Sequence, residues 1–233
     1  MYYPYYFDST YLLIIIGMIL SLLASAKLKS TYAKYSRVRS HTGLTGAEVA
    51  ERLLHAEGIY DVKIEHISGN LTDHYSPGEK VLRLSDGVYN STSVAALGVA
   101  AHECGHAVQH KESYAPLTIR NNIVPVVNIG AQLSWPLIFA GILFSSANFL
   151  IQLGIILFSL TVIFQLITLP VEFNASSRAL AALQKHNILY EQEAKSTRKV
   201  LKAAALTYVA AAAASILQLL RLLLLFGGRR NDD

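Results

Sequence analysis

Residues His102, Glu103, Cys104, Gly105 and His106 read H-E-C-G-H, an H-E-x-x-H pentad inside an apolar run with helical spacing. Positions four apart on a helix share a face, about one turn from each other. His102 and His106 can therefore hold one metal ion together. Glu103 projects beside the pair, within reach of a water on that ion. Two imidazole ligands and a general base on a single turn are the parts of a zinc hydrolase. The pentad is short, so the rest of the chain has to supply the remaining parts. A catalytic zinc site takes three protein ligands and keeps one position for water.

Composition limits where such a site can sit. The chain has 233 residues, 52% hydrophobic and only 15% charged, against about 25% charged in soluble domains. Its apolar residues come in long blocks, the pattern of membrane spans. Cys104 is the one cysteine, which excludes an intramolecular disulfide framework. Inside an apolar helix it reads as a small packing residue. The net charge of +4 is modest and its positive residues gather near span ends, so they read as topology signals and make no case for nucleic acid.

The first apolar run is Tyr11 to Ala26, which the aromatics Tyr5, Tyr6 and Phe7 can extend into the membrane interface. Lys27, Lys29, Lys34, Arg37 and Arg39 follow it directly. The positive-inside rule then puts the N-terminus outside and residue 27 onward in the cytoplasm. Residues 41–118 read as a small α+β domain. Thr45 and Glu48 form a capping box, with Leu44 and Val49 as its staple, for a helix that stops at Gly58. Asp61–Ile67, Leu71–Tyr75 and a segment holding Val81, Leu82 and Leu84 read as strands, with Ser76-Pro77-Gly78 as a turn. The pentad helix runs from about Val94 to His110. Two further apolar runs, Ile123–Phe144 and Phe149–Leu169, are joined by a few residues and so form a hairpin through the membrane, closed by Pro170. The hairpin returns Val171-Glu172-Phe173 to the side that holds the pentad. Residues 174–202 are polar and helical in pattern, and Ala203–Phe226 is a last apolar run, with Arg221 near its far end. That run carries Arg229 and Arg230 outside, against the charge rule, so its orientation stays open. The domain plan is an anchor (1–26), a cytoplasmic α+β domain (27–120), a transmembrane hairpin (121–170), a cytoplasmic helical segment (171–202) and a C-terminal span with its tail (203–233).

His110 continues the four-residue spacing but lies about 12 Å along the helix from His102, too far to share an ion. It reads as a helix-surface residue or one supporting the site from outside. The longer metzincin pattern also fails, with Gln109 where it needs Gly and Glu112 where it needs His. A downstream carboxylate remains. Glu172 stands at a membrane edge in P-V-E-F-N-A-S-S-R-A (Pro170 to Ala179), where a span-flanking glutamate is the plain alternative. Glu191 and Glu193 sit in a mixed-charge stretch and read as surface.

Four segments carry a resemblance. L-T-D-H-Y-S-P (Leu71 to Pro77), A-A-H-E-C-G-H-A-V-Q-H (Ala100 to His110), T-L-P-V-E-F-N-A-S-S-R-A-L (Thr168 to Leu180) and L-K-A-A-A-L-T-Y-V-A-A (Leu201 to Ala211) resemble the bacterial YugP-type membrane zinc metallopeptidase family. The resemblance covers nearly the whole chain. More distantly, the pentad, the membrane hairpin and the downstream glutamate are similar to the gluzincin clan, which includes the HtpX heat-shock protease and the CAAX prenyl protease. The resemblance implies Glu172 as third ligand of one Zn²⁺ per chain, and a bacterial plasma membrane as the location. The distant relatives carry Asp where this chain has Ser176. If that Asp orients a histidine ligand, Ser176 does so more weakly or another group does it.

The expectation is a mainly α integral membrane protein, with about four transmembrane helices and a small cytoplasmic α+β zincin-like domain. It hydrolyses peptide bonds by a zinc-activated water with Glu103 as general base, near the cytoplasmic membrane face. Arg178, His74 and Tyr208 are candidates for stabilising the oxyanion or holding substrate. Residues 71–75 are a candidate edge strand for pairing an extended peptide. Partners are protein or peptide substrates, membrane proteins among them, and the lipid bilayer. Two other readings are weighed. A site-2-type intramembrane protease needs an Asp-Gly element in a later span, and the only one here is Asp86-Gly87, upstream. A scaffold with a structural metal would take four ligands, commonly with Cys, and Cys104 points away from the histidine pair.

Overall fold

The described residues form α1 (Tyr11–Tyr35), α2 (Gly46–Ala56), β1 (Lys63–Ile67), β2 (His74–Ser76), β3 (Val81–Ser85), α3 (Val94–Lys111), α4 (Ala115–Leu143), α5 (Asn148–Lys185) and α6 (Glu191–Phe226). The computed structural model describes residues 8–144 and 147–227. Tyr5, Tyr6 and Phe7, and Arg229 and Arg230, lie outside the described residues. Helices α1, α4, α5 and α6 are each long and apolar enough to cross a membrane. The chain separates into two units. One comprises Met1–Ala24, Ile119–Thr168 and Thr207–Asp233, the other Ser25–Thr118 and Leu169–Leu206.

The first unit is built from apolar helical segments. Ile138, Ile151, Ile155, Phe158, Val162 and Leu222 form its buried cluster, with Trp135 packed against it. Small residues let helices approach: a Cβ on Gly17 would stand 3.1 Å from the Ala214 Cα, and one on Gly154 would stand 2.7 Å from the Ser134 carbonyl oxygen. Close backbone approach at small residues is how helices pack where the hydrophobic effect between them is absent. Leu22, Leu23, Ile129, Phe139 and Ile156 point outward, as lipid-facing residues would. Arg221 lies over the Tyr11 ring, 4.6 Å from its centroid.

Pro170 does not close α5 as its position predicts. The helix continues through it to Lys185. Proline removes one backbone donor and crowds the preceding turn, a cost of about 3 kcal/mol in an isolated helix. Beyond it, the buried residues Val171, Ala175, Ala179 and Leu183 keep a stripe at helical spacing. Packing of that stripe outweighs the local penalty.

The second unit holds the sheet and α3. Thr45 caps α2 through the full capping box, and Gly58 leaves it with φ +67°. The sheet has order β1-β3-β2. β1 runs parallel to β3, and β2 pairs antiparallel with β3 with Tyr75 opposite Leu82. The second strand in the chain is shifted from the predicted Leu71–Tyr75 to His74–Ser76, and β1 begins at Lys63 instead of Asp61. Leu71, at φ 57°, is in the left-handed region and cannot extend the strand. Asp73 then anchors the approach to β2 by accepting hydrogen bonds from the Ser85 N–H (2.7 Å) and hydroxyl (2.9 Å).

Helix α3 is the axis of this unit. Ser93 caps it, accepting from the Ala96 N–H at 3.2 Å. Its Ala- and Gly-rich sequence buries nearly every side, because neighbours pack all around it. A Cβ on Gly98 would meet the Thr197 Cγ2 at 2.5 Å, and one on Gly105 would meet the Ala175 carbonyl oxygen at 2.7 Å. Leu53, Leu54, Leu82, Leu84, Leu97 and Leu183 are the large side chains fully enclosed around it.

Candidate metal centre

One turn of α3 sets the pair. The rings of His102 and His106 lie 4.7 Å apart, centroid to centroid, at 85° to each other. Gly105, between them in sequence, turns its bare Cα to the Ala175 backbone of α5. That contact brings Glu172, one turn before Ala175, against the histidines. Glu172 Oε2 is 3.2 Å from His102 Nε2 and 3.7 Å from His106 Nε2. One donor atom from each of the three lies within 4.8 Å of the other two. The side chains are 13%, 12% and 5% exposed for His102, His106 and Glu172, so the group is screened from bulk water.

The outer ring nitrogens are occupied. His102 Nδ1 lies 3.1 Å from Ser176 Oγ, and His106 Nδ1 lies 3.0 Å from Gln109 Oε1. Gln109 is wholly enclosed. Its amide Nε2 donates to the Val171 carbonyl and to Asn174 Oδ1, both at 2.9 Å. Arg178 Nε donates to the same Asn174 oxygen at 2.7 Å, and its Nη2 pairs with Glu112 at 2.6 Å. A chain of contacts thus runs from His106 through Gln109 and Asn174 to Arg178 and Glu112, tying α3 to α5. A protonated Nδ1 held by an acceptor leaves Nε2 to face the metal position, the usual support for a histidine ligand. The sequence pointed to Ser176 for this role but passed over Gln109, which lies three residues from His106 but is held in place by groups more than sixty residues away along the chain.

Glu103 is buried, and its Oε2 accepts the backbone N–H of Tyr75 at 3.0 Å. The expected base is therefore held by strand β2, at the edge of the sheet. His74 is the preceding residue of β2, its Nδ1 2.9 Å from the Thr72 carbonyl oxygen. Arg178 is engaged as described above. Tyr208 belongs to α6 within the first unit. His110 contacts the Tyr75 hydroxyl at 2.9 Å through Nδ1 and does not join the His102–His106–Glu172 group. Cys104 faces α2, its sulfur 3.6 Å from the Ala50 carbonyl oxygen.

The electrostatics suit a cation. Burial works against a charged His106. Contacts and charges from Glu172 and Glu103, with the Gln109 bond, outweigh it and raise its pKa above the ordinary value. Positive charge is thus favoured where the donors meet. Burial, with the Glu103 charge beside it, pushes the Cys104 thiol far up and leaves it inert. The Arg178 pairing holds the Glu112 carboxyl below its usual range. Two imidazoles and one carboxylate, with Nε2 atoms turned inward, form the donor set of a zinc site with an open fourth position. The two Glu172–histidine separations, 3.2 and 3.7 Å, are near the roughly 3.3 Å that ligands at about 2.0–2.1 Å from a tetrahedral ion would show. The residues present fit zinc.

Residues 10–227 match the family described as "Putative neutral zinc metallopeptidase". The chain is 52% identical over 190 residues to the "Putative membrane protease YugP" of Bacillus subtilis strain 168. That match covers 82% of this chain and 84% of the relative. No solved structure matches the chain.

Proposed function

The chain belongs to the neutral zinc metallopeptidase family, and on that premise we propose that it is a membrane-embedded zinc endopeptidase with Glu103 as its general base. The observation that carries the reading is the convergence of His102, His106 and Glu172 within 4.8 Å, with Glu103 the next residue after His102. Zinc held by these three groups supplies the Lewis acidity that lowers the pKa of a water to about 7 and polarises a carbonyl oxygen.

The chain's own groups do the rest. Glu103 accepts the proton of the attacking water and returns it to the leaving amine. The Tyr75 N–H fixes the direction of the Glu103 carboxylate. Ser176 and Gln109 hold the two imidazoles in the orientation that presents Nε2. Among the described residues β2 pairs with β3 on one side only, so its other edge, where the Tyr75 N–H is engaged by Glu103, can hold an extended peptide through its main-chain carbonyl side. His74, Arg178 and Tyr208 stand as candidates for the oxyanion.

The lysines and arginines that follow the first apolar run argue for a catalytic domain on the cytoplasmic face of the plasma membrane. Glu172 comes three residues after Leu169, the last residue of the preceding apolar run, which argues for chemistry close to the membrane surface. Substrates are peptides or proteins, membrane proteins among them. Glu172→Ala tests the ligand set: the purified variant should keep its helical content and lose zinc by metal analysis. Full zinc occupancy would remove Glu172 from the site and with it this reading.

A further inference from the structure

Four lysines from two helices meet at one pocket of about 490 Å³. Lys27 and Lys34 stand seven residues apart, two turns along one face of α1. Lys199 and Lys202 stand one turn apart on α6 and line the same pocket. Tyr35 is buried beneath them, with the ammonium nitrogens of Lys34 and Lys199 at 5.6 and 5.9 Å from its ring centroid. No carboxylate lines the pocket, and none of the four lysines is in an ion pair among the described residues.

Lysines after a span are ordinary topology signals. That accounts for their number but not for their convergence. Lys29 and Arg198 lie on the same two helices, exposed and outside the pocket, and they serve topology equally well. Like charges gathered with no counter-charge repel one another and favour a bound anion. The lining also indicates which anion. Lys27 follows the apolar run of α1 directly, and the pocket ends at Leu206, which is 45% exposed. A free phosphate has no use for that apolar end, whereas the glycerol and acyl stem of a lipid does.

We propose that this pocket binds the phosphate headgroup of an anionic phospholipid. It shares no residue with the metal centre, so the proposal stands apart from the reading of that site.

Native mass spectrometry of the full chain in detergent, titrated with phosphatidylglycerol, tests it. The Lys34→Gln/Lys199→Gln variant should bind about 25-fold more weakly, at roughly fivefold per lysine. Lys34→Arg/Lys199→Arg and Lys29→Gln/Arg198→Gln should bind as the native chain does, and phosphatidylcholine should bind less tightly than phosphatidylglycerol. Undiminished binding by the double glutamine variant would overturn the proposal. An equal loss in the Lys29→Gln/Arg198→Gln variant would also overturn it, by reducing the effect to general surface charge. Displacement of the lipid by inorganic phosphate at equal concentration would overturn the lipid assignment in favour of a free anion.

Discussion

At the scale of single residues, the histidines of the candidate metal centre are supported unequally. Gln109 offers His106 a fixed amide oxygen and is itself held by two acceptors. Ser176 offers His102 a rotatable hydroxyl at 3.1 Å. Losing an outer partner of a metal-bound histidine typically weakens metal affinity by about 10–100-fold. Gln109→Leu should therefore weaken zinc binding by roughly that range, and Ser176→Ala should cost less; competition with a chelator reads both. Ser176→Asp, which adds a charged acceptor, should bind zinc more tightly than the native chain. Equal affinities in all four proteins would mean that these contacts orient nothing. Ser176 was legible because it stands where distant relatives have Asp. Gln109 was not, although it lies one turn from His106, because its amide is fixed only by α5 lying alongside α3, and no local spacing records that approach.

At the scale of elements, the fit of α3 against α5 decides whether Glu172 reaches the histidines. Gly105→Ala puts a methyl group 2.7 Å from the Ala175 carbonyl oxygen and 3.1 Å from its Cα. Backbone cannot rotate away, so the helices must part, at a cost of about 1–3 kcal/mol. Gly98→Ala meets the Thr197 Cγ2 at 2.5 Å, a side-chain atom, though one whose hydroxyl is tied to the Val94 carbonyl. We expect Gly105→Ala to lower zinc content and thermal stability together, and Gly98→Ala to lower stability while keeping zinc. The reverse order would show that the α3–α5 approach does not set the site. Elements with strong local signals were legible in the sequence: the capping box of α2, the β2–β3 turn and the four apolar helices. What the sequence misplaced depended on distant partners. Helix α5 passes Pro170 because buried packing beyond it outweighs the proline, and β2 starts at His74 because Leu71 turns left-handed before the strand can pair with β3.

At the scale of the molecule, the proposed cytoplasmic placement of the domain predicts which residues a membrane-impermeant reagent can reach. Cys104 is buried and its thiol pKa is pushed up, so the native chain supplies a silent background. Lys63→Cys, on the exposed side of β1, should label with an impermeant maleimide in inverted membrane vesicles and not in intact cells. Labelling in intact cells would put the domain on the opposite face. The central claim, however, is that Glu103 is the base of a zinc peptidase and has no part in holding the metal. Its most direct test is the Glu103→Gln variant, assayed in parallel for zinc content and for cleavage of a peptide substrate. We predict one zinc per chain, as in the native protein, with cleavage lowered at least about 100-fold. Cleavage at the native rate with zinc retained would contradict the account.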